Sequence, residues 1–119
     1  MTRQRLIVEM GMGVDLHGRD YTKAACRAVQ DALRHSSMPV LRNIDFAPGD
    51  KHVRVTIGVA DPGAVDKTAV AALLPHEGVE VIVTHGGMDV ADDSYGEGHV
   101  IASAAVELFL PPQTGWRLR

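Results

Sequence analysis

The apolar residues in the first half of this chain follow strand and helix periods in turn. Leu6–Met10 is a short apolar run that glycines follow, which predicts a buried strand. Apolar residues from Ala24 to Leu33 recur at helical spacing after Asp20, so we predict a helix with Asp20 as its N-cap. Residues 52–59 alternate with period two and predict a second strand with one wet face.

The second half predicts a shorter helix and two more strands. Apolar positions between Val65 and Leu74 recur at helical spacing over about three turns, and Pro75 ends the helix. Residues 79–83 alternate around three valines and predict a third strand. Residues 100–110 allow two interpretations: their length favours a helix, whereas the alternation in their second half favours a strand. We predict a strand.

The order β-α-β-α-β-β predicts an α+β fold, in which two helices cover one face of a four-stranded mixed sheet. The chain length fits a single domain over residues 1–119, with a core at about residues 5–110 and a tail at 111–119. The other face of the sheet carries residues that are too apolar for water. We therefore expect oligomerisation to bury that face.

The composition is that of an ordinary globular domain, with 45% hydrophobic and 23% charged residues. Its net charge of −3 and its scattered lysines and arginines do not predict a nucleic-acid partner. No apolar stretch is long enough to span a membrane, and the basic start precedes too short an apolar run for a signal peptide. A single cysteine, Cys26, excludes an internal disulfide, and we expect a cytoplasmic protein.

The segment from Gly11 to Asp20 joins the first strand to the first helix and is the first candidate site. It interleaves three glycines with an acid, an imidazole and a guanidinium: Gly11, Gly13, Asp15, His17, Gly18 and Arg19. Leu16 stands where a dinucleotide fingerprint needs its third glycine, and no Walker A lysine follows, so no nucleotide cofactor is expected. The end of a strand just before a helix N-terminus suits the binding of an anion or a polarised carbonyl. The alternative is that Asp15 and His17 only brace the loop and Arg19 is solvated.

The second candidate site follows the third strand. His85 and Asp89 flank a glycine pair, Gly86 and Gly87, whose backbone can approach a ligand closely. The alternative is a strand-end histidine that bonds a neighbouring carbonyl. Asp15, His17, His85 and Asp89 include the ligand types for a divalent metal, without a diagnostic spacing. The polar residues 92–99 are interpreted as a solvated loop, with a lid as the alternative.

The pattern Gly11-x-Gly13-x-Asp15-x-His17-Gly18 resembles the GxGxDxHG signature of a small family of single-domain proteins without an assigned function. The similarity extends over residues 5–110. It includes Val65-Asp66, Leu74-Pro75, the valine-rich strand at 79–83 and the loop at 86–89. This resemblance implies family membership and says little about activity.

More distantly, the layout resembles one repeat of the ring-opening amidohydrolases cyanuric acid hydrolase and barbiturase. Their three similar domains enclose one active site, so the resemblance implies a homotrimer of this chain. Gly11–Arg19 and His85–Gly87 would then face the threefold axis. Those enzymes use serine and lysine pairs, whereas this sequence has His85 where a serine is expected and shows no obvious lysine.

Two hypotheses follow. In the first, the protein is an enzyme that hydrolyses or isomerises a small polar compound, an anion or a cyclic amide, at subunit interfaces. His17 or His85 would be the general base, Asp15 would orient it, and Arg19 with glycine N–H groups would hold the developing negative charge. In the second, the same loops bind a metabolite or metal without turnover, or only seal a trimer interface.

Overall fold

The computed structural model describes residues 3–35, 47, 49–76, 78–91 and 98–112, and it has an α+β fold. Its elements, in chain order, are β1 (Gln4–Asp15), α1 (Tyr21–Arg34), β2 (His52–Val59), a 3₁₀ turn (Pro62–Ala64), α2 (Lys67–Ala71), β3 (Glu80–His85), β4 (Met88–Ala91) and β5 (Gly98–Leu110). The predicted strand at 100–110 is confirmed. The expected count of four strands is too low, because β4 adds a fifth. Residues 92–97 of the polar loop and the tail beyond 112 lie outside the described residues.

The sheet is mixed, as predicted, and has the order β1-β5-β2-β3. β1 pairs antiparallel along almost the whole length of β5. On the other side of β5, β2 pairs with residues 103–109 and β4 with residues 98–101, both antiparallel. Only β3 is parallel to its neighbour, β2. β2 and β4 therefore lie on the same side of β5, one after the other along its length.

α1 begins as its sequence predicts. The side chain of Asp20 accepts a hydrogen bond from the backbone N–H of Lys23, which satisfies one of the free donors of the first turn. The buried stripe of the helix consists of small residues and one valine: Ala24, Ala25, Ala28, Val29 and Ala32. These small side chains let the helix lie close to the sheet.

Gly11 and Gly13 lie inside strand β1, so placing them in the loop after the first strand was wrong. A Cβ atom on Gly11 would lie 2.4 Å from the carbonyl oxygen of Ala28 and 2.4 Å from the nitrogen of Ala32. A Cβ atom on Gly13 would lie 2.3 Å from the nitrogen of Ala28. The two glycines thus allow close contact between the backbones of β1 and α1, on the face of the sheet that the helices cover.

α2 is shorter than the three turns that its pattern predicts. Asp66 caps it by accepting from the N–H groups of Thr68 and Ala69, and the regular helix ends at Ala71. Beyond it, the N–H groups of Leu73 and Leu74 donate to the carbonyls three residues before them, so the chain forms tighter 3₁₀-like turns before Pro75. Leu74 is still buried. No helix in the described part of the chain is long and apolar enough to cross a membrane.

The helices cover one face of the sheet and leave the other face open to solvent. We call the latter the open face. Its exposed large apolar side chains come from β1, β3 and β4: Leu6, Val8, Met10, Met12, Ile82, Met88 and Val90. The structure thus shows the uncovered apolar face that the sequence predicts; the trimer stays a prediction.

One end of the open face carries an ion-pair network around the buried carboxylate of Glu107. Arg5 donates to Oε2 of Glu107 at 3.1 Å, and Arg54 donates to Oε1 through Nε at 3.1 Å and Nη2 at 3.0 Å. Burial alone raises the pKa of Glu107, but the hydrogen bonds from the two arginines outweigh it and lower the pKa below 4.5. The carboxylate is therefore stabilised as an anion.

Candidate functional site

Three strands bring two carboxylates into one row near the end of the sheet. Asp15 of β1 and Asp89 of β4 are both register partners of Val100 on β5. Because neighbouring strands are about 4.8 Å apart, the Cα atoms of Asp15 and Asp89 are roughly 10 Å apart. The two carboxylates therefore belong to neighbouring clusters and do not form a pair.

The first cluster, which we call the Asp89 corner, consists of Arg19, Tyr21 and Asp89. Tyr21, the first residue of α1, donates its phenol O–H to Oδ2 of Asp89. The guanidinium Nη2 of Arg19 lies 3.7 Å from the same oxygen. The hydrogen bond to Asp89 and, after it, burial raise the pKa of Tyr21 above 10.0, so the phenol stays protonated at neutral pH. Tyr21 therefore acts as a donor in this corner.

The other carboxylate oxygen of Asp89, Oδ1, is buried and has no hydrogen-bond partner among the described residues. A buried acceptor that loses its partner costs about 1–3 kcal/mol. The side chain of Asp89 as a whole is 24% exposed, and the side chain of Arg19 is 53% exposed. The corner thus combines an unsatisfied acceptor with an accessible planar donor.

Two residues that were not predicted from the sequence complete the corner, Tyr21 and Gly98. Tyr21 holds Asp89, and Gly98 makes room for Arg19, because a Cβ atom on Gly98 would lie 2.7 Å from Nε of Arg19. Arg19 itself has a φ of 51°. Tyr21 directly follows the predicted N-cap Asp20, and this position could have indicated a role beside the loop. The role of Gly98 depends on its pairing with β4, which the sequence does not show.

The second cluster is centred on Asp15, which was predicted to orient a histidine. Asp15 is buried and accepts the backbone N–H of Asp20 at 2.9 Å through Oδ2, and its Oδ1 lies 3.6 Å from Nη1 of Arg27. Gly18 turns the same loop with a φ of 90°. His17 is exposed. Asp15 therefore braces the loop that presents Arg19 to Asp89, which matches the alternative given above for Asp15.

The His85 loop begins at the end of β3, where His85 is the register partner of Val59, the last residue of β2. Gly86 donates its N–H to the carbonyl of Val59 at 2.9 Å, so this donor is already used. Gly87 has a φ of 61°, and a Cβ atom there would lie 2.1 Å from the carbonyl oxygen of Ile101. The glycine pair thus carries the chain from β3 across to β4. Among the described residues, no side-chain hydrogen bond or ion pair joins His85 to the Asp89 corner or to Asp15.

In the part of the chain that the structure describes, no three or more His, Cys, Asp or Glu side chains are grouped to hold a metal ion. Asp15, His17, His85 and Asp89, which have the ligand types for a divalent metal, are therefore not grouped within this part of the chain. Of the predicted site residues in the first loop, Arg19 lies beside Asp89 within the chain. A site that His85 shares with them across neighbouring subunits stays a prediction.

The fold and this corner define a small α+β protein with a polar cluster beside the first helix. Residues 5–108 match the family of conserved hypothetical proteins named Lin0512_fam, and the chain belongs to that family. It is also similar to a solved structure, described as an FtsZ-like protein of unknown function from Nostoc punctiforme. The two are 34% identical with a TM-score of 0.82, and the match covers 94% of this chain and 99% of the other. The search of curated proteins found no match.

Proposed function

We propose that this protein binds, at the Asp89 corner, a small polar molecule with adjacent N–H and C=O groups, such as an amide or a cyclic imide. The observation that carries the proposal is the buried Oδ1 of Asp89, which has no donor among the described residues. Because Oδ1 is covered, a ligand N–H would supply that donor by displacing the atoms that shield it, and the guanidinium of Arg19 would donate to the adjacent carbonyl. The corner and the ligand would then satisfy each other's hydrogen bonds.

Tyr21 prepares the carboxylate for this role. Its hydrogen bond holds Oδ2 of Asp89, so the carboxylate is oriented before a ligand arrives. Because the pKa of Tyr21 is raised, the phenol remains a donor throughout the neutral range. Oδ1 is thereby left as the acceptor for the incoming group.

We also propose that the protein is a homo-oligomer, with a trimer implied by its resemblance to the three-domain amidohydrolases. The support is the set of exposed apolar side chains on the open face. The three residues of the Asp89 corner come from one chain, so a ligand can bind there without a neighbouring subunit. A neighbour at the rim of the corner would be needed only if the interface encloses the ligand.

Hydrolysis of the bound amide is a second candidate function. The observation that favours it is the position of His17, which lies in the same loop as Arg19 and two residues before it. In this version His17 would be the base that activates water. The raised pKa of Tyr21 disfavours the phenol as a nucleophile at neutral pH.

The test is a thermal-shift and calorimetric screen of the full chain with cyanuric acid, barbituric acid, succinimide and simple carboxamides. A ligand at about 100 times its Kd stabilises the fold by about 2.7 kcal/mol, which raises Tm by about 10 °C for a domain of this size. N-methylated analogues of each hit should bind weakly, because they lack the donor for Asp89. No stabilisation by any compound would overturn the proposal.

Two variants distinguish the loss of the Asp89 carboxylate from a general effect of removing an acidic side chain. Asp89→Asn should abolish the ligand-induced shift, whereas Asp31→Asn, a matched change on the other end of α1, should leave it intact. Binding that survives Asp89→Asn would place the ligand elsewhere. NMR follows the formation of product from each compound that binds. Loss of product in His17→Ala, with binding kept, would support hydrolysis. Binding without product in the wild type would exclude hydrolysis of that compound.

A further inference from the structure

We propose that Gly98 is a positioning residue of the Asp89 corner: its missing side chain lets the guanidinium of Arg19 lie flat against β5, with its donors directed along the sheet beside Asp89. This inference rests on the ligand binding proposed above and adds the residue that fixes how Arg19 meets a ligand. Gly98 acts only through Arg19.

The face of the guanidinium is turned toward Gly98. A Cβ atom at position 98 would have three atoms of Arg19 as its nearest neighbours, Nε at 2.7 Å, Cζ at 3.0 Å and Cδ at 3.2 Å. These three atoms lie in the guanidinium plane, and an approach to Nε within that plane would leave Cζ and Cδ clearly farther away. The similar distances therefore mean that the plane stacks on Gly98.

The orientation of this plane decides which acceptors Arg19 can reach. The N–H donors of a guanidinium lie in its plane. One of the nitrogens that carry them, Nη2, lies 3.7 Å from Oδ2 of Asp89. With one face on Gly98, the donors point along the surface of β5 and β4. A ligand carbonyl beside Asp89 therefore has to lie near that plane to accept a hydrogen bond from Arg19.

The backbone itself does not require a glycine at position 98. Gly98 is absent from the glycines with a positive φ in the described chain, and it pairs with Ala91 of β4 as an ordinary strand residue. At Gly13 a Cβ atom would strike the backbone of α1, whereas at Gly98 it would strike a side chain that can rotate away. Space for Arg19 is therefore what the glycine provides.

Other contacts hold the backbone of Arg19 more firmly than its side chain. The next residue, Asp20, donates its N–H to Asp15, and Arg19 has a φ of 51°. The guanidinium, in contrast, forms an ion pair with Asp89 that is longer than a hydrogen bond, and its side chain is 53% exposed. Exposed ion pairs of this kind restrain a side chain weakly. The surface at Gly98 therefore decides where the guanidinium lies.

The first test is Gly98→Ala, measured through Tyr21 without any ligand. Asp89, burial and Asp61 raise the pKa of Tyr21, whereas the positive charge of Arg19 lowers it. Ultraviolet titration in a Tyr95→Phe background, which leaves Tyr21 as the only tyrosine, therefore reports the position of Arg19. Gly98→Ala should raise the pKa of Tyr21 toward its value in Arg19→Gln. The Tm should not fall, because only a movable side chain is displaced.

A double-mutant cycle is the control. In the Arg19→Gln protein, adding Gly98→Ala should change the pKa of Tyr21 no further, because the group through which Gly98 acts is gone. An equal effect of Gly98→Ala with and without Arg19 would show that the new methyl group acts on Asp89 or on the strand. That result, or an unchanged pKa of Tyr21 in Gly98→Ala alone, overturns the positioning role.

The second test is calorimetric binding of succinimide, barbituric acid and cyanuric acid. Gly98→Ala should weaken the binding of each compound that the wild type binds by about 10-fold or more, as Arg19→Gln should, because the donors leave the plane of the ligand carbonyl. Binding that Gly98→Ala leaves unchanged overturns the inference. If the wild type binds none of the three, the ligand proposal fails for these compounds, and the titration of Tyr21 still decides whether Gly98 positions Arg19.

Discussion

Gly13→Ala adds one methyl group at the closest approach of β1 and α1. The new Cβ atom would lie 2.3 Å from the nitrogen of Ala28, 2.4 Å from the carbonyl oxygen of Ala24 and 2.7 Å from the carbonyl carbon of Arg27. All three are backbone atoms, so no side chain can rotate away. The helix as a whole must move.

The expected loss of folding stability depends on how far α1 must move. Ordinary contacts begin near 3.4 Å, so α1 must retreat by about 1 Å at this point. The retreat loosens the buried alanine stripe of α1 against the sheet. Overpacking of this kind costs about 1–3 kcal/mol, and we expect the upper end because only backbone atoms are in contact. For a domain of this size, about 3 kcal/mol lowers Tm by about 12 °C.

Thermal unfolding followed by circular dichroism measures the effect. Gly63→Ala is the matched control, because a Cβ atom there meets nothing closer than 3.7 Å, and its Tm should change by no more than about 2 °C. If Gly13→Ala unfolds at the wild-type temperature and instead loses ligand binding, the packing argument is wrong. Gly13 would then be a ligand-binding residue, as its place in the glycine-rich segment predicts.

Glu107, Tyr21 and Asp31 each allow a separate measurement. The lowered pKa of Glu107 means that its ion pairs stabilise the fold above pH 4.5 and are lost as the pH falls below it. Urea unfolding should therefore show Glu107→Gln to cost about 1.5–3 kcal/mol at pH 7 and clearly less at pH 3; equal costs would contradict this. Ultraviolet titration should show Tyr21 ionising above pH 10.0, and Asp89→Asn should move that ionisation down toward 10.0; an unchanged titration would show that Asp89 is not its partner. Asp31→Ala removes the acceptor that binds the N–H of Met12 at 3.0 Å and should cost about 1 kcal/mol in the same urea assay, more than Asp31→Asn; a smaller cost for Asp31→Ala would argue against this edge contact.

Local patterns predicted the elements whose signals are contained in a few neighbouring residues. The Asp20 cap and the alternation at residues 52–59 and 100–110 correspond to α1, β2 and β5. β4 was missed because Met88–Ala91 is four residues long and is stabilised by pairing with residues 98–101, which no local pattern reveals. α2 was predicted too long because the tightened turn before Pro75 keeps a helix-like spacing.

The candidate site was predicted in part. Arg19 and Asp89 were both named, and the structure brings them within 3.7 Å, although they are far apart in sequence. Tyr21 and Gly98 were not named, since their roles depend on the pairing of β4 with β5. His85 was named because its loop also follows a strand; β1 and β3 lie at opposite edges of the sheet, and convergence of the two loops between neighbouring subunits stays a prediction.

The sequence by itself determined four of the five strands, the presence of both helices, where α1 begins, and that one sheet face would carry exposed apolar residues. These properties depend on residues a few positions apart, so backbone geometry and hydrophobic period are sufficient. Only the tertiary structure decided that Gly11 and Gly13 serve close packing, and that Arg19, Tyr21 and Asp89 meet in one corner. Those outcomes depend on strand order and register, which are set by contacts between residues that are distant along the chain.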